Sequence, residues 1–248
     1  MGEAMKCRRR LNLMWVLVMG TVILFLSFST KIAKASSETA PLSFSNDTYA
    51  QTQWAIDNPG YYHITMPGVG QIVKPSVIDV DMDVVEAWNE LDKIETREVV
   101  VAIVDTGIDI NHPDLSANIW VNEGEIPGDG IDNDGNGYID DVNGWDFYNG
   151  DGTVSHYKYD AKLGINVADP MDNDDHGTHI AGIIGAVPNN NIGVAGIASK
   201  ISIKIMVLKI NGGEKGTGKI SSAIDAIKYA PMMGADICNI SWGTAEDI

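Results

Sequence analysis

Cysteine and basic residues are both scarce in this 248-residue sequence, which has two cysteines and 17 lysines and arginines against 34 aspartates and glutamates. Cys7 lies in a basic and apolar N-terminal segment and Cys238 in the apolar stretch ADICNIS. If the N-terminal segment is removed, no intrachain disulfide is left, and we expect Cys238 to be a small buried residue. The net charge of −17 argues against nucleic acid as a partner, because phosphate binding needs a basic surface, whereas clustered carboxylates bind cations.

Residues 1–35 have a composition of their own. Basic residues in KCRRR precede an almost wholly apolar run from Leu11 to Phe28, and Ala33-Lys34-Ala35 gives a small-x-small pattern before Ser36. This pattern predicts a secretory signal peptide and therefore a secreted mature chain. The apolar run is long for a signal peptide, so an uncleaved membrane anchor is the alternative.

The rest of the chain divides into an arm and a domain. Residues 36–75 are rich in Ser, Thr, Asn, Pro and Gly, which predicts an irregular N-terminal arm. From 76 to 248, apolar strand-like runs (REVVVAIVDTGID, ISIKIMVLKI, ADICNIS) alternate with helical patterns that begin near Val84, near His176 and at Ile220. Strands that alternate with helices predict an α/β fold with a doubly wound, mainly parallel sheet, here expected to be cut short at its C-terminal side.

Asp105 follows the first of these strands directly. An acid there at least marks the end of a strand, but Gly107 permits a tight turn beside it and His112-Pro113-Asp114 continue an ordered loop. The carboxyl edge of a parallel sheet is where α/β proteins carry their chemistry. Asp105 is therefore placed where it could orient an imidazole.

His176 and His179 lie three residues apart in DDHGTHIAGIIGA. A metal pair on a helix usually has i, i+4 spacing with a glutamate next to the first histidine, which this sequence lacks, so a metallohydrolase is poorly supported. Two other interpretations remain. Either His176 is a catalytic base exposed at a helix start with His179 a buried packing residue, or both histidines are structural.

VVVAIVDTGIDINHPDL and DDHGTHIAGIIGA resemble the aspartate and histidine motifs of the subtilisin-like serine proteases, the subtilase or S8 peptidase family. The likeness continues through NNIGVAGIA, IKIMVLKI, GTG and YAPMMGADICNISWG, and it starts upstream at NDTYAQTQW. Two independent motifs in the family's order, aspartate before histidine, make the match specific. The chain is therefore identified as the N-terminal part of a subtilase catalytic domain.

The resemblance implies an endopeptidase in which Asp105 orients His176 and His176 is the general base toward a serine hydroxyl. It also implies that Gly216, Thr217 and Gly218 form a backbone strand that pairs with an extended protein or peptide substrate. Ser241, Trp242 and Gly243 resemble the opposite wall of the specificity cleft. Trp242 stands where the family more often has leucine, so the resemblance does not indicate which side chain the pocket prefers.

The serine nucleophile of the family, in a GTSMA-like motif, and the asparagine that stabilises the oxyanion are both expected after the SWG region, and neither motif occurs before Ile248. We therefore expect a fragment that is inactive alone, and a separate chain is one source of the missing half. The alternative is a non-catalytic, secreted calcium-binding pseudoprotease or gene remnant.

The segment GDGIDNDGNGYIDDVNG predicts a calcium loop. Asp132, Asp134, Asn136, Tyr138 and Asp140 occupy positions 1, 3, 5, 7 and 9 of an EF-hand-like pattern, with Gly137 at position 6. Position 12 is Asn143 instead of glutamate, for which Asp141 or Asp129 could compensate. A solvated acidic loop is the alternative, although acids this close repel one another unless a cation neutralises them.

A second calcium site is implied by the resemblance alone. It would use the side chains of Asp47, Asp114 and Asn190, with carbonyl groups near Pro188, Ile192 and Val194. The alternative for Asp114 is that its carboxylate caps its own turn.

Overall fold

The computed structural model describes residues 44–66, 68–160, 165–168, 174–213 and 217–243. The predicted signal peptide, residues 1–35, lies outside this range, as does Gly216. No helix within the described ranges is long and apolar enough to cross a membrane. The strands are β1 (Tyr61–Met66), β2 (Gly70–Pro75), β3 (Val99–Asp105), β4 (Gly144–Asp146), β5 (Tyr157–Asp160), β6 (Ile165–Ala168), β7 (Ile203–Lys209), β8 (Asn211–Gly212), β9 (Thr217–Gly218) and β10 (Ile237–Ile240), and the helices are α1 (Val84–Leu91), α2 (Asp175–Gly185) and α3 (Ile220–Met232).

The main sheet has four parallel strands in the order β10-β3-β7-β4. Its central strands, β3 and β7, are runs of β-branched and aliphatic residues that become fully buried toward their carboxyl ends. Such continuous apolar runs are typical of strands that are covered on both faces. All three predicted strands therefore lie side by side, with the end of β3 at the centre of the carboxyl edge.

Helices α2 and α3 cover opposite faces of this sheet. One apolar cluster joins Val101, Ile103, Ile205 and Val207 to Ala181 of α2. The alternate residues of the same strands, with Ala102 and Leu208 among them, pack against α3 through Ala223, Ala226, Tyr229 and Ala230. Side chains of a strand alternate between its two faces, so one sheet forms two cores. The predicted doubly wound, mainly parallel α/β sheet is confirmed.

The N-terminal part has more regular structure than its composition predicts. Strands β1 and β2 form an antiparallel hairpin within the stretch that was expected to be irregular. Helix α1 begins at Val84, as its spacing predicts, and its Trp88 packs with Val84 and Ile56 in a third apolar cluster. The indole Nε1 of Trp88 donates to the carbonyl of Ile197 at 2.8 Å, which fastens this part to the chain after α2.

Two further expectations differ from the structure. The stretch 121–173, whose Asp, Asn and Gly content predicts one long loop, contains β4, which extends the main sheet, and the antiparallel pair β5 and β6. Cys238 is exposed instead of buried. It lies on β10, an edge strand whose only neighbour in the described sheet is β3, and Ile237 and Ile240 of the same strand are also exposed.

Candidate active site and cation sites

Asp105 is the last residue of β3, and its side chain is buried. The chain turns sharply after it, because Gly107 has a φ of +102°, and a Cβ at Gly107 would lie 2.5 Å from the carbonyl oxygen of Val154. Asp105 Oδ1 accepts a hydrogen bond from the backbone N–H of Thr106 at 2.8 Å. Its Oδ2 has no hydrogen-bond partner among the described residues. The carboxylate is thus fixed in place by the strand end and the turn.

His176 lies in the first turn of α2, and its ring reaches the same carboxylate. The distance from His176 Nδ1 to Asp105 Oδ1 is 2.7 Å. The Asp105 side chain is 3% exposed, whereas the His176 side chain is 55% exposed. A buried carboxylate that accepts from Nδ1 fixes the tautomer in which Nε2 is free to accept a proton. The pair has the geometry of an oriented general base.

The start of α2 is also attached to the turn after β3 by its backbone and by a hydroxyl group. Gly177 N donates to Thr106 Oγ1 at 3.1 Å, and Thr178 Oγ1 accepts from Asp109 N at 2.9 Å. A Cβ on Gly177 would lie 2.1 Å from the carbonyl oxygen of Gly107. Only glycine allows the helix to approach the turn this closely.

A second histidine–aspartate pair precedes His176, and sequence reasoning missed it. Asp174, at the N-cap position of α2, is in short contact with His156 Nδ1. Its Oδ2 accepts from Ser155 Oγ at 2.9 Å and from the backbone N–H of His156 at 3.0 Å. His156 lies in a stretch without periodicity, so no local pattern in the sequence indicated this contact.

His179 is not the buried packing residue that we expected. It is exposed and lines a cavity of about 810 Å³ beside α2, together with Trp54, Ile183 and Val194. The buried face of the helix is formed instead by Gly177, Ala181 and Gly185. Among the described residues, neither His176 nor His179 belongs to a group of side chains close enough to share a metal ion.

Buried charges adjoin Asp105 at the carboxyl edge of the sheet. Lys209 ends β7 and is the register partner of both Asp105 on β3 and Asp146 on β4, and all three residues are buried. Burial raises the pKa of Asp146 to about 6, against the lowering effects of backbone hydrogen bonds and of Lys209. The charge at this part of the sheet edge therefore changes with pH in the weakly acid range, as Asp146 gains or loses its proton.

The predicted substrate-binding residues that the structure describes lie on two segments, one exposed and one partly buried. Thr217 and Gly218 form the short strand β9, which pairs with β8 and is exposed. Ser241, Trp242 and Gly243 follow β10 directly. The Trp242 ring packs against the apolar cluster under α3 and is half-buried.

The acidic loop gathers three carboxylates into one group. Oxygens of Glu125, Asp134 and Asp141 lie within 4.8 Å of one another, and Glu125 and Asp141 are buried. The Asn122 amide donates to Asp134 at 2.9 Å and to Asp141 at 2.8 Å. Three clustered acids, two of which accept from one amide, are an oxygen-rich set that a hard cation fits. Asp134 and Asp141 were predicted ligands, but Glu125, which lies before the pattern, was missed.

The other predicted loop residues have different partners. Asp132 accepts backbone N–H groups of Gly135, Asn136 and Gly137, and the bond from Gly137 is the largest cause that lowers its pKa. Asp140 accepts from Gly128 and Gly130. The Asn136 amide donates to Asp134 and Asp141, and Tyr138 stacks edge-on against Trp145 and Tyr229. These residues shape the loop, whereas Glu125, Asp134 and Asp141 share its centre.

Asp47, Asp114 and Asn190 are brought together, as the resemblance implied. Asn190 Nδ2 donates to Asp114 Oδ1 at 2.7 Å, and its backbone N–H donates to Asp47 Oδ1 at 2.8 Å. Both aspartates are buried. Asp114 also accepts from the backbone N–H of Val194 at 3.1 Å, so it joins two loops instead of capping its own turn alone.

A family model described as the subtilase family matches residues 96–247, which include the Asp105–His176 pair. The chain belongs to the subtilase family. This subtilase chain is 32% identical over 214 residues to Subtilisin-like protease 1 of Plasmodium berghei, which covers 86% of the chain and 29% of that protein. It is also 32% identical over 158 residues to thermitase of Thermoactinomyces vulgaris, with 64% of the chain and 41% of thermitase covered.

The fold has a counterpart among solved structures as well. The serine protease of Aeromonas sobria, solved in complex with its chaperone, aligns with a TM-score of 0.52 and 20% identity over 85% of this chain and 28% of that one. This likeness shows the fold alone. The subtilase chain spans less than half the length of each of these relatives.

Proposed function

We propose that this subtilase chain supplies the aspartate and histidine of a serine endopeptidase. The 2.7 Å contact between a buried Asp105 and an exposed His176 carries the proposal. His176 Nε2 removes the proton of a serine hydroxyl as the oxygen attacks the peptide carbonyl, and it later returns the proton to the leaving amine. Asp105 accepts the Nδ1–H bond throughout and stabilises the imidazolium that forms.

The serine, we propose, comes from polypeptide outside these 248 residues, in the same protein or in a separate chain. Two exposed apolar features support the proposal that further polypeptide packs against this chain. Strand β10 has one neighbour in the described sheet, and α3 exposes Ile220, Ile224 and Ile227 at helical spacing. An open parallel edge and an exposed apolar helix stripe are surfaces that further polypeptide would cover.

The proposed substrate is an extended peptide segment of a protein. The exposed strand β9 pairs with β8 on one side and would pair with such a segment on the other, and Ser241, Trp242 and Gly243 would line the other side of the cleft. The net charge of −17 opposes nucleic acid at the same surface. The basic and apolar residues 1–35 support export of the chain to the extracellular space.

Calcium is the proposed cofactor. The group of Glu125, Asp134 and Asp141 would hold one ion, and Asp47, Asp114 and Asn190 a second one. When bound, calcium would neutralise these acids and join the segments that carry them. No catalytic step requires the ion.

The catalytic proposal is tested with a chimera in which this chain is continued by the C-terminal part of the thermitase catalytic domain. We expect the chimera to hydrolyse casein and to react with a fluorophosphonate probe, whereas the chain alone does neither. In the chimera, Asp105→Asn should lower kcat by about 10⁴-fold and His176→Ala by about 10⁶-fold, as loss of these triad members does in serine proteases. His179→Ala is the matched control, because His179 has the same residue type on the same helix but does not contact Asp105.

A chimera that folds and whose cleavage is unaffected by His176→Ala would contradict the catalytic role. Labelling of the chain alone by the fluorophosphonate would contradict an external serine.

The calcium proposal is tested by isothermal titration with Glu125→Gln and Glu123→Gln. The two glutamates are two residues apart, but Glu125 is buried in the carboxylate group and Glu123 is exposed. We expect Glu125→Gln to weaken calcium binding at least tenfold and Glu123→Gln to leave it unchanged. Equal affinities in the two variants would remove Glu125 from the site.

A calcium-binding protein without peptidase activity is the second candidate. The observation that favours it is the separation of functions in the structure, because neither proposed cation group includes Asp105 or His176. Calcium binding by the chain together with an inactive, folded chimera would support this candidate over the endopeptidase.

A further inference from the structure

The side chain of Asp174 does not cap the helix that it starts. It occupies the N-cap position of α2, where an aspartate usually accepts from the free N–H groups of the first turn, yet it makes no such bond. Its carboxylate is turned instead toward residues 155 and 156 and is 2% exposed. Only the backbone of Asp174 takes part in the first turn of the helix, since Thr178 N donates to Asp174 O at 2.9 Å.

The carboxylate of Asp174 is held by three donors from a single short segment. Ser155 Oγ and the backbone N–H of His156 lie at 2.9 Å and 3.0 Å from Oδ2, and His156 Nδ1 is in short contact with Oδ1. The His156 side chain is 16% exposed. A carboxylate with little access to water requires such donors, and bonds to a charged acceptor are stronger and better defined than neutral ones.

His176 lies two residues further along the same turn, and little else restrains its ring. Its side chain is 55% exposed, so packing does not hold the imidazole. From the side of β3, the turn is held by Asp105, Thr106 and Asp109. From the other side, it is held through Asp174 by Ser155 and His156.

We propose that His156 and Asp174 are positioning residues for His176. Their contact fixes the first turn of α2, so that the His176 imidazole stays in line with the Asp105 carboxylate. The inference rests on the proposed role of His176 as general base, but it concerns the position of the ring and is measurable without a serine.

The test is nuclear magnetic resonance of the chain labelled with ¹⁵N-histidine, observing the proton on His176 Nδ1. This resonance is assigned by its loss in Asp105→Asn. We expect His156→Ala to broaden it and to speed its exchange with water by about tenfold, because the helix start opens more often. His156→Asn should restore most of the wild-type behaviour, since the asparagine amide places a donor near the position of Nδ1.

His179→Ala is the matched control and should leave the signal unchanged, because His179 is an exposed histidine of α2. An unchanged His176 signal in folded His156→Ala would overturn the proposal. Equal loss in His156→Ala and His156→Asn would also overturn it, because the donor at Nδ1 would then be irrelevant. If His156→Ala does not fold, Asp174→Asn decides, and a wild-type His176 signal in that variant is again a contradiction.

Failure of the proposed catalytic function would give a different result from failure of the positioning role. In that case the wild-type chain lacks a resonance that depends on Asp105, or a folded chimera with an intact resonance does not cleave protein.

Discussion

Asp146 shows how a single buried group makes the edge of the sheet respond to pH. Its Oδ1 accepts from the backbone N–H groups of Tyr148 and Asn149, and its Oδ2 accepts from the Asn149 amide. Burial outweighs these bonds and raises the pKa to about 6. The native state therefore binds the proton of Asp146 more tightly than the unfolded state does.

The sign of the resulting stability change follows from linkage. Protonated Asp146 adds to the free energy of unfolding. This addition is fully present below about pH 3.8 and is lost as the pH rises through about 6. A shift of about two pKa units corresponds to about 3 kcal/mol in the free energy of unfolding. We expect Asp146→Asn to remove this part of the decline between pH 4 and pH 6, as measured by urea unfolding at several pH values.

The control for this prediction is Glu95→Gln, a change at an exposed acid that is not among the groups acting on the pKa of Asp146. It should follow the wild-type profile. If the free energy of unfolding of Asp146→Asn changes with pH in parallel with that of the wild type between pH 4 and pH 6, the raised pKa of Asp146 is contradicted.

At the scale of elements, two of the three glycines in α2 differ in the space around them. A Cβ at Gly177 would lie 2.1 Å from the Gly107 carbonyl oxygen, whereas a Cβ at Gly182 would meet nothing within 4 Å. We expect Gly177→Ala to destabilise the chain by about 1–3 kcal/mol through overpacking. Gly182→Ala should stabilise it by up to about 1 kcal/mol, because alanine favours the helical backbone. Thermal unfolding of the two variants checks both signs, and a stabilising Gly177→Ala would refute the close approach.

The second prediction for an element concerns the exposed stripe on α3. Ile224 is 48% exposed, and Tyr229 on the same helix is fully buried. We expect Ile224→Lys to lower the binding of a hydrophobic dye and to change the free energy of unfolding by less than about 0.5 kcal/mol, because the site is at the surface. Tyr229→Phe, which removes the 2.6 Å bond to Asp141, should instead destabilise the chain by about 1 kcal/mol or more. A large loss of stability in Ile224→Lys would show that the stripe is covered.

The sequence predicted the long periodic elements well and the short ones poorly. Strands β3 and β7 are continuous apolar runs, and α1, α2 and α3 have clear helical spacing, so local pattern alone identifies them. Strand β4 has only three residues. Its close approach to β7 requires glycine at position 144, because a Cβ there would lie 1.9 Å from the carbonyl oxygen of Val207. Its membership of the sheet depends on tertiary contacts that no local pattern shows.

The site divides in the same way. The motifs around Asp105 and His176 indicated the contact that the structure shows, because each motif is specific and their order matches the family. Glu125 and His156 carry no motif and reach their partners only through the folding of the loop. Cys238 was misjudged because burial of a strand depends on its neighbours in the sheet, and β10 has only one in the described part of the chain.

For the whole molecule, we expect the excess of acids to make the free energy of unfolding depend on cations. Buried carboxylates at the two proposed calcium sites repel one another when no ion is bound. We expect calcium at about 100 times its Kd to stabilise the chain by about 2.7 kcal/mol per site, because it binds the native state selectively. Differential scanning calorimetry with calcium and then with excess chelator measures this shift. Magnesium at the same concentration is the control, and identical melting curves in all three conditions would contradict the calcium sites.

The order of strands in the sheet has a consequence for synthesis. Asp105 ends β3, His176 lies in the first turn of α2, and β7, which pairs with β3, ends at Lys209. The strands and the helix that carry the aspartate–histidine pair are thus translated before residue 210, ahead of α3 and β10. Strand β10 pairs with the side of β3 that β7 leaves open, so the strand of the described sheet that is translated last lies at its edge and not between the strands that carry the pair.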